Sequence, residues 1–318
     1  MSGFAYVVRD GKVEKPILKA ALGNQDAGLT WIHLSTNDER AQAWLSGEAK
    51  LSQYIIDALT AAETRPRCDA VGEGAVINLR GLSSEKLVAS DPLASIRMYA
   101  LGGYVFSVTR KPLNALGPVR EQIEGGKILD PGDLIAAIAQ TITEELDPEV
   151  AELGDSLDDC EEQITTHHAF ELRRMVNSVR VQAIGYRRFL VPQRTALEKL
   201  ANLPGEWLRD DDRLHLAAAA DRAARMAEEL ESIRERAALT HETLTDLRAE
   251  QIDQRSLIIA IVAMVFLPLT FITGLLGMNV AGIPYAHETW AFGAVVAICV
   301  VLAVAIAAYF IRRHWFER

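Results

Sequence analysis

The sequence predicts an α/β domain that continues into long helices and ends in two helices crossing a membrane. Three observations carry this. Short β-type runs alternate with amphipathic ones over roughly the first 130 residues, charged segments of heptad character follow, and two apolar runs without charge close the chain. At 318 residues, more than one structural unit is expected.

The β-type runs are Phe4–Val8, Thr30–Leu34, Val71–Leu79, Ser95–Ala100 and Tyr104–Thr109, with Gly102-Gly103 as a hairpin signal between the last two. Helical patterns lie between them at Asp38–Leu45, with Asn37 or Asp38 as cap, and at Ser52–Ala61. Together they place an α/β domain over residues 1–132. That domain has no Walker loop, no dinucleotide fingerprint and no Gly-x-Ser-x-Gly turn, and Gly72-Glu73-Gly74 is too short to cradle a phosphate. Residues 1–255 hold no catalytic constellation, so no enzyme and no cofactor is expected. His33, alternating within a strand, reads as a hydrogen-bonded structural histidine. Cys68, Cys160 and Cys299 are odd in number and scattered, as packing residues of a reduced compartment are.

Residues 133–255 read as long antiparallel helices forming a stalk. One helix is expected from about Pro148 to Leu200, bent near Pro192, with Val150, Leu153, Leu157, Cys160 and Ile164 on its apolar face. Asn202-Leu203-Pro204-Gly205 turns the chain back. A ladder of Leu216, Ala219, Ala223, Met226, Leu230, Ile233, Ala237, Thr240, Leu244 and Leu247 then predicts a rod, interrupted before Leu276 by nothing but Pro268. Unbroken, it is about 95 Å long at 1.5 Å per residue, and needs both its neighbour and copies of itself to pack on.

The formal charge of −10 is uneven, with thirteen acids and no Lys or Arg from Ile128 to Leu172. Such a surface repels phosphate backbones, which argues against a nucleic-acid partner, and concentrates cations; a plain solvated face explains it equally well. Glu228, Glu231, Glu235 and Glu242 share one side of the rod, and the line continues through Thr245, Ala249 and Ile252 to Ser256. They form either an acidic path into the first span or a solvent face paired with Arg234, Arg236 and Arg248. His167 and Glu171, four apart beside Glu161 and Glu162, are a candidate metal pair.

No Asp, Glu, Lys, Arg or His occurs in 256–276 or 290–311, runs of 21 and 22 residues. About 20 helical residues cross a bilayer core, so these are two spans with the lipid bilayer as partner. The N-terminus lacks the features of a signal peptide. Arg255 precedes the first span and Arg312, Arg313 and Arg318 lie in the tail 312–318, while the loop 277–289 has no Lys or Arg. Both termini are then cytoplasmic. Counting back from Asn279 at helical spacing gives Gly274, Thr270, Leu267, Ala263, Ile259 and Ser256, a face suited to a narrow pore or to close helix packing. Periodicity leaves both open. Two helices enclose no lumen, so conduction requires self-association. His287 and Glu288 are the outer loop's candidates for handling a proton, and His287, imidazole being a common zinc ligand, is either a zinc attractor or an exposed loop residue without a role.

Gly277-Met278-Asn279 stands at the outer end of the first span, behind Phe266-Leu267-Pro268-Leu269-Thr270-Phe271 and ahead of a short loop and a second span ending in basic residues. This arrangement resembles the CorA superfamily of divalent-metal transporters. The resemblance implies a homopentamer of the bacterial inner membrane with a cytoplasmic funnel, a pore lined by the first span, and an entrance of Gly277 carbonyls and Asn279 amides that holds a hydrated cation. Asn279-Val280-Ala281-Gly282-Ile283-Pro284, and Glu63-Thr64-Arg65-Pro66-Arg67 followed by Gly72-Glu73-Gly74, are similar to the ZntB-type subgroup, and the Met-Pro-Glu-Leu segment of magnesium-type members is missing. The subgroup implies uptake of Zn²⁺, with Cd²⁺, Ni²⁺ and Co²⁺ as further ions and with proton coupling. Nothing in the first span titrates near neutral pH, so a proton would need water or groups at the two ends. The alternatives are a Mg²⁺/Co²⁺ channel of the same superfamily and a membrane-anchored sensor that conducts nothing.

Overall fold

The computed structural model describes every residue except 1, 2, 25, 36–38, 62–64, 84–92, 165–168, 281, 286, 317 and 318, and no side chain at 169, 311 or 313–316. It divides into one unit of 1–163 with 171–241 and another of 164–170 with 242–318.

The first unit is built on a sheet of β1 (Gly3–Arg9), β2 (Lys12–Glu14), β3 (Leu29–Leu34), β4 (Arg67–Val71), β5 (Gly74–Leu82), β6 (Leu93–Leu101) and β7 (Tyr104–Thr109), in the order β2-β1-β3-β7-β6-β5-β4. β3 and β7 run parallel; the other described neighbours are antiparallel. All six residues of β3 are buried, as a strand covered on both faces requires. On one face Ala5, Val7, Ile32, Leu34, Val76, Phe106 and Val108 pack with α1 (Leu18–Ala21), α2 (Glu39–Gly47) and α3 (Gln53–Thr60). On the other lie α4 (Leu116–Glu124) and α5 (Pro131–Glu162), drawn close where Gly81 lacks a side chain: a Cβ there would be 2.9 Å from Ile142 of α5. His33 is buried, its Nδ1 2.8 Å from Ser107 Oγ and its Nε2 3.3 Å from Thr109 Oγ1, the structural role its alternation predicts.

The strand expected at Val71–Leu79 is in fact a hairpin. Gly72, at φ +61, turns β4 into β5, and β4 carries no strand signal in the sequence because Arg67 and Asp69 break its apolar pattern. The cap expected at Asn37 or Asp38 lies outside the described residues.

The helix expected over Pro148 to Leu200 is two helices, α5 and α6 (Ala169–Ala201). Tyr186 of α6 donates to Glu149 of α5 at 3.3 Å, so the pair folds back on itself. Gln163, the C-cap of α5, ends a helix that neither Gly nor Pro marks, whereas Pro148 and Pro192 sit inside helices that continue past them. α7 (Asp210–Leu276) runs unbroken through Pro268. Leu216 through Leu244 of its ladder are all buried and Leu247 half-buried, matching buried Val150, Leu153, Leu157 and Cys160 on α5.

In the second unit, α7 beyond Glu242 and α8 (Ala291–Phe316) carry windows of mean hydropathy 2.5 and 2.9, long and apolar enough to cross a membrane.

Candidate ion path

The half-buried residues of the first span, Leu257, Ile261, Val265, Pro268, Leu269 and Ile272, form one stripe. Ser256, Ile259, Ala263, Leu267, Thr270 and Gly274 are all exposed and fall outside it; Ile259 is 69% and Leu267 76% accessible. This apolar face is therefore left to lipid, to another copy, or to a water path. Pro268 has no N–H for the Met264 carbonyl, which leaves an oxygen acceptor within the span. Thr270 and Thr273 turn their hydroxyls back onto the Phe266 and Leu269 carbonyls at 2.8 and 2.9 Å, so the face presents methyl groups beside them.

The helix ends at Leu276, three residues before Asn279, so Asn279 does not continue the helical face by rotation. The Gly277 N–H bonds the Thr273 carbonyl at 2.9 Å, and a Cβ at Gly277 would sit 2.8 Å from that same oxygen. Met278 and Asn279 are exposed immediately beyond. In the loop between the two apolar helices Gly282 and Tyr285 take positive φ, the Tyr285 ring lies 5.3 Å from that of Trp290, and the Glu288 N–H bonds the Tyr285 carbonyl. His287 and Glu288 are both exposed there.

The acidic line on α7 is only partly open to solvent. Glu228, Glu235 and Glu242 are exposed, but Glu231 is half-buried, held by Arg187 of α6 at 3.0 Å and by Arg234 at 2.6 Å. Arg236 holds Asp158 and Glu161 of α5. Of the acids named from sequence, Glu231 and Glu161 are thereby ion-paired within the helix packing, and Glu235 lies 3.7 Å from Arg234. Glu171 is exposed in the first turn of α6, and His167 lies outside the described residues. The buried thiols are raised by desolvation, Cys68 to about 12, which keeps both protonated as packing groups.

A carboxylate junction that the sequence did not mark joins the starts of α5 and α7. Asp130 caps α5 through the Asp133 N–H at 2.9 Å, Asp133 takes the Leu129 N–H at 2.9 Å, and Asp212 takes the Arg209 N–H at 2.9 Å. Oxygens of the three acids lie within 4.8 Å of one another, with Arg209 Nη1 2.9 Å from Asp130 Oδ2 as the counter-charge. Burial is the main cause that lifts Asp212 to about 6, reinforced by Asp130 and Asp133. Each acid follows a helix-start rule; their meeting depends on how two helices pack.

Residues 26–313 match the family described as CorA-like Mg2+ transporter protein. The chain belongs to that family. It is 28% identical over 286 residues to the zinc transport protein ZntB of Yersinia enterocolitica, covering 90% of this chain and 87% of that one. It is 32% identical over 266 residues to the divalent cation transporter CmaX of Pseudomonas aeruginosa, covering 82% and 80%. The complete structure of the CorA magnesium transporter from Methanocaldococcus jannaschii superimposes with a TM-score of 0.81 at 18% identity over 98% of both chains, a likeness of fold. The order of sheet, long helices and two terminal apolar helices is thus the CorA-like architecture that the sequence predicts.

Proposed function

We propose that the protein carries Zn²⁺ into the cell through the axis of a homo-oligomer, with the Ser256–Gly274 face lining the path and Gly277, Met278 and Asn279 forming its outer entrance. The observation that carries it is the uniform exposure of that face outside the half-buried stripe, with the exposed Asn279 amide just past the end of the helix. The relative from Yersinia enterocolitica supports zinc as the ion. A neutral amide and backbone carbonyls suit a cation that keeps its water, because they accept hydrogen bonds from the shell without competing for the metal. Leu267, Ala263 and Ile259 then make an apolar constriction, and Ser256 meets the acidic line at the inner end. Both termini lie in the cytoplasm and the chain spans the inner membrane twice.

Proton coupling belongs to the ends of this path, to His287 and Glu288 outside or the exposed acids of α7 inside, because nothing between Ser256 and Leu276 titrates near neutrality. A Mg²⁺/Co²⁺ channel is the second reading, supported by the family description. Asn279→Ala tests the entrance: uptake into proteoliposomes is lost while the oligomer's mass on size exclusion is unchanged. A variant that transports at the parent rate overturns the entrance.

A further inference from the structure

β3 and β7 are the parallel neighbours among the described strands, and the segments that follow them leave toward opposite faces. β3 leads to α2, which packs with Val7 and Phe106. β7 leads to α4, which meets the other face: Tyr6 donates to Glu124 at 2.6 Å, and Arg120 lies 4.6 Å over the Phe4 ring. Diverging connections open a crevice beyond the carboxyl ends of parallel strands, where open α/β sheets place their ligands. A cavity of about 400 Å³ occupies that position, lined in part by His33, Ser35, Thr109, Lys111, Gly117 and Arg120.

Its lining is basic. No Asp or Glu is among the described lining residues, in a chain of formal charge −10. Arg120 is oriented by Phe4 and by its Nε bond to Tyr6 Oη at 3.1 Å, and the nearby Glu124 is paired with Lys15 at 2.7 Å. Lys111 is half-buried at the wall, and Arg110 at the rim adds charge while it bonds the Thr60 carbonyl at 3.1 Å. His33 is held neutral, lowered to about 3 by burial first and by Arg120 second, so the floor is polar without being acidic. Ser35 and Thr109 add hydroxyls.

We propose that this crevice binds a phosphate-bearing small molecule, its phosphate held between Lys111 and Arg120. The site is distinct from the ion path and does not depend on which metal is carried. Two cations, Lys111 in the connection after β7 and Arg120 on α4, match a dianion, a guanidinium fixed on an aromatic ring is preorganised for phosphate oxygens, and the volume is that of a small-ligand pocket.

The test is calorimetric titration of the full chain in detergent and metal-free buffer with inorganic phosphate, pyrophosphate, ATP and citrate. At least one phosphate compound is expected to saturate at one site per chain. Lys111→Glu is expected to weaken it at least tenfold. So is Gly117→Asp, whose added Cβ meets nothing within 4 Å and whose charge suits the first turn of a helix; a circular dichroism spectrum matching the parent shows that each variant is folded. No saturable binding of any phosphate probe to the folded protein overturns the proposal, as does binding that both variants leave within twofold. Citrate binding as tightly as the best phosphate compound overturns the assignment to phosphate.

Discussion

Asp212 of α7 rests its carboxylate on Gly132 of α5: a Cβ at position 132 would lie 2.1 Å from Asp212 Oδ2 and 2.9 Å from the Trp207 carbonyl. The two helix starts meet here because one has no side chain and the other a short acidic one. Gly132→Ala is expected to lower stability by about 1–3 kcal/mol, the usual range for overpacking a site whose neighbours cannot withdraw. A thermal melt of the purified full chain reads it, and an unchanged midpoint would contradict the packing.

The same carboxylate makes the junction sensitive to pH. Asp212 sits at about 6 in the folded protein against an ordinary value of 3.8, chiefly through burial. The folded state therefore binds more protons than the unfolded one between about pH 4 and 6. Its contribution to stability falls as pH rises through that window and is constant above it. Asp212→Asn keeps an acceptor for the Arg209 N–H and removes the buried charge. It is expected to raise the melting midpoint at pH 7.5, by a free energy on the order of 2 kcal/mol, and to change little at pH 4. A lower midpoint at pH 7.5 would show that the charged form is needed.

Arg236 ties α7 to Asp158 and Glu161 of α5, with Thr240 Oγ1 also donating to Glu161 at 3.0 Å. The groups are 32–57% accessible, so solvent and salt screen them. Arg236→Gln is expected to cost about 1 kcal/mol at low ionic strength and less in 1 M salt. Melts at both salt concentrations check this. A loss that does not shrink with salt would mean that the side chain acts through its packing.

The ladder from Leu216 to Leu244 and the two apolar spans were readable because period and length alone decide them. The break after Gln163 was not, since the apolar pattern of α5 passes through it and no Gly or Pro stands there. α4 escaped for the opposite reason: Gly117-Pro118 looks like a turn, yet proline in the first turn of a helix removes no helical bond. The pairing of Glu231 with Arg187 and the meeting of Asp130, Asp133 and Asp212 join residues from different helices, which no local pattern encodes. At the candidate site, the sequence places Asn279 at the end of the span and the helix face behind it, while the two non-helical residues between helix end and amide, Gly277 and Met278, appear only in the structure.

Uptake into proteoliposomes, comparing Zn²⁺ with Mg²⁺ with and without an imposed pH gradient, bears most directly on the proposed transport. Zn²⁺ entry that exceeds Mg²⁺ entry, and that disappears in Asn279→Ala, is the expected result. Mg²⁺ flux that exceeds Zn²⁺ flux and ignores the gradient would contradict it.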